Sequence, residues 1–192
     1  MDLTIPRILH FVWVGGRPLP QKYIKNMDRW KEHHPGWHVH LWTDVPPDVE
    51  WRWIVACEPR PIQIADILRV EMVHRHGGVY ADLDSWAVQS IERMLDGLDS
   101  FAVRNRSGDM DNCIFGATSG HQWLQRVLTK VTRCYRPGSR AGVAGANLLI
   151  DARPESSSKF RLFDFGILNA LPDGAGQANA AVYHAQDNTW KK

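Results

Sequence analysis

The chain has 192 residues, 44% of them hydrophobic and 23% charged, with a formal net charge of +2 at neutral pH. That length suits one core of ordinary size, so one domain over residues 1–192 is expected. The weak net charge leaves no electrostatic footprint for nucleic acid, and no apolar run approaches the roughly 20 residues that a transmembrane helix needs.

In chain order, residues 8–14 come first: a short run rich in apolar and β-branched residues that stops at Gly15, Gly16 and Pro18. This predicts a buried strand running into a loop. Residues 21–33 carry Tyr23, Met27 and Trp30 at helical spacing, and Pro35-Gly36 ends that helix. Residues 37–42 alternate with period two, as a strand does. Strand, helix, strand opens an α/β sheet. A loop over residues 45–48 follows. Residues 62–76 then place Ile64, Leu68 and Met72 on one helix face and stop at Gly77-Gly78. A strand over residues 79–81 enters Asp82-Leu83-Asp84. Further short strands are expected at 101–103 and 113–116, a helix over 121–135, a short helix within 142–150, and strand pieces around 161–165 and 180–184.

The two acids carry the chemistry. On an extended strand end, residues i and i+2 point to the same side, so Asp82 and Asp84 present two carboxylates to one point. Two such anions repel unless a cation or a proton lies between them. A hard divalent ion, Mn²⁺ or Mg²⁺, accepts carboxylate and phosphate oxygens together. The pair follows a helix, Gly-Gly and a strand, which puts it at the carboxyl end of a strand, where open α/β sheets bind ligands. A phosphohydrolase of the haloacid-dehalogenase type, with Asp82 as nucleophile, is the alternative. Trp86 stands where that motif wants Thr or Val. A non-enzymatic carbohydrate- or nucleic-acid-binding module that uses the Trp side chains is the other.

The remaining unusual residues read as structural. Nine Trp is a heavy load for this length, and most of it is expected in packing. Cys57, Cys113 and Cys134 are odd in number and not at metal-ligand spacing, which suits a reducing, cytoplasmic setting. His33, His34, His38 and His40 have no acid or Cys at ligand spacing and are expected on a solvated face.

Three blocks of the sequence resemble the DXD-type sugar transferases, the family of fungal initiating mannosyltransferases and bacterial capsule enzymes, similar also to the clostridial glucosylating toxins. The first is residues 5–16, from Ile5-Pro6-Arg7 to Gly15-Gly16. The second is residues 65–69 (Ala-Asp-Ile-Leu-Arg) with residues 77–84 (Gly-Gly-Val-Tyr-Ala-Asp-Leu-Asp). The third is Tyr183-His184 with Asn188-Thr189-Trp190, where Thr189 replaces the more usual Ser. The stretch 85–158 matches loosely, and the turn at 142–145 lacks the family's Pro.

The resemblance implies a GT-A-like α/β domain with a mixed, mostly parallel sheet flanked by helices. It implies a glycosyltransferase that moves a hexose, with retention, from a nucleotide-sugar. UDP-hexose is the first choice of donor and GDP-mannose the second. Under it, Trp13 stacks on the nucleobase and Gly15 and Gly16 let the backbone approach the nucleotide. Asp66 and Arg69 reach towards nucleotide and sugar, and Arg69 also offsets the acid pair. Tyr80 is placed for the ribose, and Asp82 contacts ribose and metal-bound water. Asp84 binds the metal directly, with His184 as third ligand, and imidazole favours Mn²⁺ over Mg²⁺. Asn188, Thr189 and Trp190 close over the diphosphate, and Asp111 and Asn112 hold sugar hydroxyls. A saccharide, a protein side chain or a modified nucleic-acid base all fit as acceptor.

Overall fold

The computed structural model describes residues 3–136, 149, 151, 152, 154, 159–172 and 179–187. The expected helix within 142–150, the turn at 142–145 and the Asn188-Thr189-Trp190 flap lie outside them or nearly so. Six strands form one sheet: β1 (Ile8–Val12), β2 (His38–Trp42), β3 (Gly78–Ala81), β5 (Ser100–Arg104), β6 (Met110–Ala117) and β7 (Phe160–Phe163). A second, two-stranded sheet pairs β4 (Ser85–Ala87) with β8 (Val182–His184). The large sheet runs β2-β1-β3-β6-β5-β7. β2, β1 and β3 are mutually parallel, β6 is antiparallel to both neighbours, and β7 is parallel to β5. The mixed, mostly parallel sheet expected from the sequence is what forms.

Among the described residues four named α-helices cover it: α1 (Gln21–His33), α2 (Arg52–Cys57), α3 (Pro61–His76) and α4 (Gln122–Cys134). Strand alternation divides the apolar residues between two cores. Leu9 and Phe11 of β1, Val79 and Ala81 of β3 and Phe101 of β5 face α1 and the small sheet. Val12, Tyr80 and Ala102 face α3 and α4. α1 and α4 each bury one stripe, Tyr23-Met27-Trp30 and Trp123-Leu124-Val127-Leu128-Val131. α3 is enclosed on more than one side: Val70, Glu71 and Val73 are buried as well as Ile64, Leu68 and Met72. Pro61 starts it and Gly77 (φ 66°) ends it, with the Gly77 N–H on Val73 O.

Gly78 shows how tightly this helix feeds its strand. Its φ is 100°, and a Cβ there would lie 2.5 Å from the Ile8 carbonyl oxygen. Only glycine lets β3 sit this close to β1. Trp30, Trp51 and Trp123 are fully buried, and Trp37 nearly so, so packing does account for much of the Trp load. His34 departs from the solvated face expected of it. It is buried, its ring contacting Trp30 O through Nδ1 (2.9 Å) while Nε2 accepts the Ile91 N–H (3.0 Å). His38 and His40 are exposed on the edge strand β2, as expected. Among the described residues no helix is long and apolar enough to cross a membrane.

Candidate active site

The acids sit where β3 leaves the large sheet. Asp82 N–H still pairs with Cys113 O (2.8 Å) on β6. The chain then turns rather than continuing extended: Ser85 N–H and Ser85 Oγ both donate to Asp82 O, at 3.0 and 2.6 Å. The carboxylates of Asp82 and Asp84 therefore converge through a β-turn, and not through the strand pleat that the spacing suggested. Buried Leu83 points away from them into the core, and its carbonyl accepts from Asn26 Nδ2 (2.9 Å).

The turn delivers the chain into β4, and β4 brings in the third group. Antiparallel pairing sets Ser85 opposite His184, and Ala185 N–H closes the ladder on Asp84 O (2.9 Å). His184 Nε2 comes to 3.0 Å from Asp84 Oδ1 and 3.7 Å from Asp82 Oδ2. Ligand-capable atoms of Asp82, Asp84 and His184 all lie within 4.8 Å of one another. The other Asp84 oxygen accepts the Asp187 N–H (2.8 Å), and the Asp187 carboxylate is held by Lys22 and Tyr23 of α1.

On the opposite side the pair is braced by α3. Arg69 reaches Asp82 Oδ1 (2.9 Å), Asp66 Oδ1 (3.0 Å) and Asn112 O (3.1 Å), and lies over the Tyr80 ring. Tyr80 OH donates to the same Asp82 oxygen (2.6 Å), and Asn112 Nδ2 donates to Asp66 (3.1 Å). The sequence-predicted Asp66, Arg69, Tyr80, Asp82, Asp84 and His184 thus form one connected cluster, with Asn112 attached. Asp111 instead binds the Cys113 N–H (3.1 Å). The sequence did not point to Lys22, Tyr23, Asn169 or Asp187 as parts of the site.

The electrostatics follow from burial and partners. Burial pushes the Asp82 carboxyl above its ordinary value despite Arg69 and His184. It pushes Asp66 up to about 6 against the pull of Arg69. Burial and the neighbouring anion also raise the Tyr80 phenol, so it donates as a neutral hydroxyl. Burial works against ionised Asp84 as well, but the His184 contact and the Asp187 N–H outweigh it and hold that carboxyl low. Burial would lower the His184 imidazole, yet Asp84 and Asp82 outweigh it and raise it. Two carboxylates and an imidazole nitrogen aimed at one point demand a positive charge, and a proton or a divalent cation supplies it. Two carboxylates and one imidazole are a donor set that fits Mn²⁺.

Trp13 and Gly15 leave β1 on the same rim. Trp13 stands edge-on to Tyr23 and donates from Nε1 to Arg17 O (2.6 Å). It is half-buried and connected through Tyr23 to Asp187. Gly15 has φ 103°, and a Cβ on it would meet Pro61 at 2.7 Å, so packing against α3 already requires glycine there. A cleft of about 340 Å³ opens beside it, lined among others by Val14, Thr43, Asp44, Arg52 and Ile64. It lies beyond the carboxyl ends of β1 and β2, where sheets of this kind take ligands.

Residues 20–102 match the model of the family described as the glycosyltransferase sugar-binding region containing a DXD motif. Inositol phosphoceramide mannosyltransferase 3 of Schizosaccharomyces pombe is 26% identical over 138 residues, which is 68% of this chain and 38% of that protein. The chain spans well under half the length of the curated relatives it matches here. Among solved structures, a glycosyltransferase involved in the glycosylation of the major capsid of PBCV-1 aligns over 93% of both chains, with a TM-score of 0.63 and 11% identity. The PaToxG glycosyltransferase aligns over 77% of this chain and 68% of its own, with a TM-score of 0.56 and 18% identity. The resemblance to DXD-type sugar transferases is borne out, its central block (65–69 and 77–84) lying within the matched residues, and the fold is the one these glycosyltransferases share.

Proposed function

We propose that this chain, whose residues 20–102 match the DXD-motif glycosyltransferase family, is a glycosyltransferase that moves a hexose from a nucleotide-sugar to an acceptor hydroxyl with Mn²⁺ at Asp84 and His184. The observation that carries this reading is the convergence of Asp82, Asp84 and His184, from elements a hundred residues apart, with acceptor atoms turned to one point. Bound there, the ion would supply Lewis-acid stabilisation of the charge that builds on the departing nucleoside diphosphate.

The protein's own groups do the rest. Arg69 and Tyr80 pin Asp82 Oδ1 and leave Oδ2 turned towards His184. That arrangement serves a ligand or a water-orienting group. Asp66, held by Arg69 and Asn112, presents its carboxylate to a donor sugar hydroxyl. The cleft beside Gly15 takes the nucleoside, with Trp13 flanking it, and the reaction retains anomeric configuration.

UDP-hexose is the first choice of donor. A mannosyl donor such as GDP-mannose is favoured by the relatives named mannosyltransferases. The acceptor stays open among saccharide, protein side chain and modified base. Three free thiols support a cytoplasmic setting. Calorimetric titration of UDP and GDP, with Mn²⁺ and with chelator, tests the reading on the wild type and on Asp84→Ala. Metal-dependent binding of one nucleotide, lost in the variant, is the expected result. Failure of both nucleotides to bind with Mn²⁺ present would sink the donor assignment.

A further inference from the structure

Asn169 is fully buried, yet its side chain belongs to no core. It follows Leu168 on a segment stitched to β8 by backbone bonds: Ala170 N–H to Val182 O (3.1 Å) and His184 N–H to Ala170 O (2.8 Å). That stitching holds the amide beside the imidazole of His184. Asn169 Nδ2 donates to the Arg104 carbonyl (3.3 Å) at the end of β5, and Asn169 Oδ1 lies 3.0 Å from His184 Nδ1.

The two contacts fix each other. A carbonyl oxygen can only accept, so the NH₂ end of the amide must face Arg104 and the oxygen must face the imidazole. That oxygen also can only accept, so His184 Nδ1 must carry hydrogen. The neutral ring then has its lone pair on Nε2, the atom 3.0 Å from Asp84. An imidazole free to rotate or to exchange tautomers would spend much of its time with a hydrogen, or a carbon, at that position.

We infer that Asn169 is a positioning residue: it locks His184 in the Nδ1–H tautomer with Nε2 aimed at the acid pair, ready to bind a divalent ion. The inference rests on the metal reading of the site given above. Partners of this kind, one shell out from a ligand, typically contribute about 10–100-fold to metal affinity.

The test compares Mn²⁺ dissociation constants, read from the free-ion electron paramagnetic resonance signal, in the wild type, Asn169→Leu, His184→Ala and the double variant. Asn169→Leu keeps volume and removes both hydrogen bonds. A loss of roughly 10–100-fold is expected, with no further loss when Asn169→Leu is added to His184→Ala. Asn169→Asp, which keeps an acceptor for Nδ1–H but loses the donor to the Arg104 carbonyl, should retain more affinity than Asn169→Leu. Unchanged affinity in Asn169→Leu, or a loss that adds fully to that of His184→Ala, would overturn the inference. Asn169→Ala takes the place of the Leu variant if the latter does not fold. Nitrogen-15 spectra of the metal-free imidazoles at alkaline pH separate the two ideas. A wild type that binds no Mn²⁺ contradicts the metal reading. In that case a His184 Nδ1–H tautomer that persists in Asn169→Leu rejects the positioning role, and one that is lost upholds it.

Discussion

Arg69 is the cation on which the metal-free site depends, and replacing it by Met tests that dependence. Its side chain is 6% exposed, with Asp82 at 2.9 Å and Asp66 at 3.0 Å. Met fills the space of the stem but leaves two partly buried carboxylates, 14% and 23% exposed, without their shared partner. Removing one partner of a buried ion pair costs about 3–5 kcal/mol, a large share of the roughly 5–15 kcal/mol that holds a domain folded. At a urea dependence of about 2 kcal/mol per molar, the unfolding midpoint of Arg69→Met should fall by about 2 M in chelator. The deficit should shrink as pH falls, because protonation neutralises Asp66 and Asp82. It should also shrink in Arg69→Met/Asp82→Asn, where one of the orphaned charges is gone. A midpoint shift worth less than about 1 kcal/mol, the scale of an exposed pair, would refute the claim that Arg69 is an internal counter-ion.

Asp66 supplies a pH test. Its carboxyl lies at about 6 in the fold against an ordinary 3.8, so the folded protein keeps a proton that the unfolded chain has already lost. That contribution is complete below the unfolded value and disappears as pH rises through the folded one, amounting to roughly 3 kcal/mol at most. Urea midpoints in chelator should therefore decline more steeply from about pH 4 to 7 in the wild type than in Asp66→Asn; parallel slopes would contradict the placement of that acid. Mn²⁺ affinity should fall as pH falls, because an ion must displace the proton on His184 that the acid pair favours. In His184→Ala that dependence should flatten across the imidazole range, and an unaltered profile would remove His184 from the ligand set. Gly78→Ala, which combines positive φ with a 2.5 Å approach to Ile8 O, should lose about 2–4 kcal/mol and several degrees in thermal unfolding. A wild-type melting temperature would mean that β3 and β1 separate at little cost.

Much of this site was legible because its key residues lie close together in the chain. Asp66 and Arg69 share a helix face, and Gly77-Gly78 gives that helix its stop. The strand that follows carries Tyr80 and Asp82 to the same side. What the sequence hid is non-local. β4 is a three-residue strand with little periodicity of its own, and it exists because it pairs with β8, which falls in the strand piece expected around 180–184. Asn169 sits in a stretch with no helical or strand pattern, and only the fold brings it to His184. His34 has one local partner, Trp30 O, and one 57 residues away, Ile91 N–H, so its burial could not be read from its polar neighbours. α2 has no clear signal in the sequence, because residues 52–57 are few and carry no side-chain cap. The turn at Asp82–Ser85 replaces the extended strand end that the spacing predicts, since both geometries bring the two acids to one point. Asn188, Thr189 and Trp190 keep the role that the family resemblance gives them as a proposal, to be tested by substitution.

The central claim is that Asp84 and His184 hold a divalent ion against a nucleoside diphosphate. An anomalous difference map at the manganese edge, from crystals grown with Mn²⁺ and UDP or GDP, tests it most directly. One strong peak is expected within bonding distance of an Asp84 oxygen and His184 Nε2, with diphosphate oxygens completing its coordination and the base in the cleft beside Gly15. A nucleotide bound without a peak at that point, or a peak that leaves His184 still turned to Asp84 as a protonated partner, would contradict it.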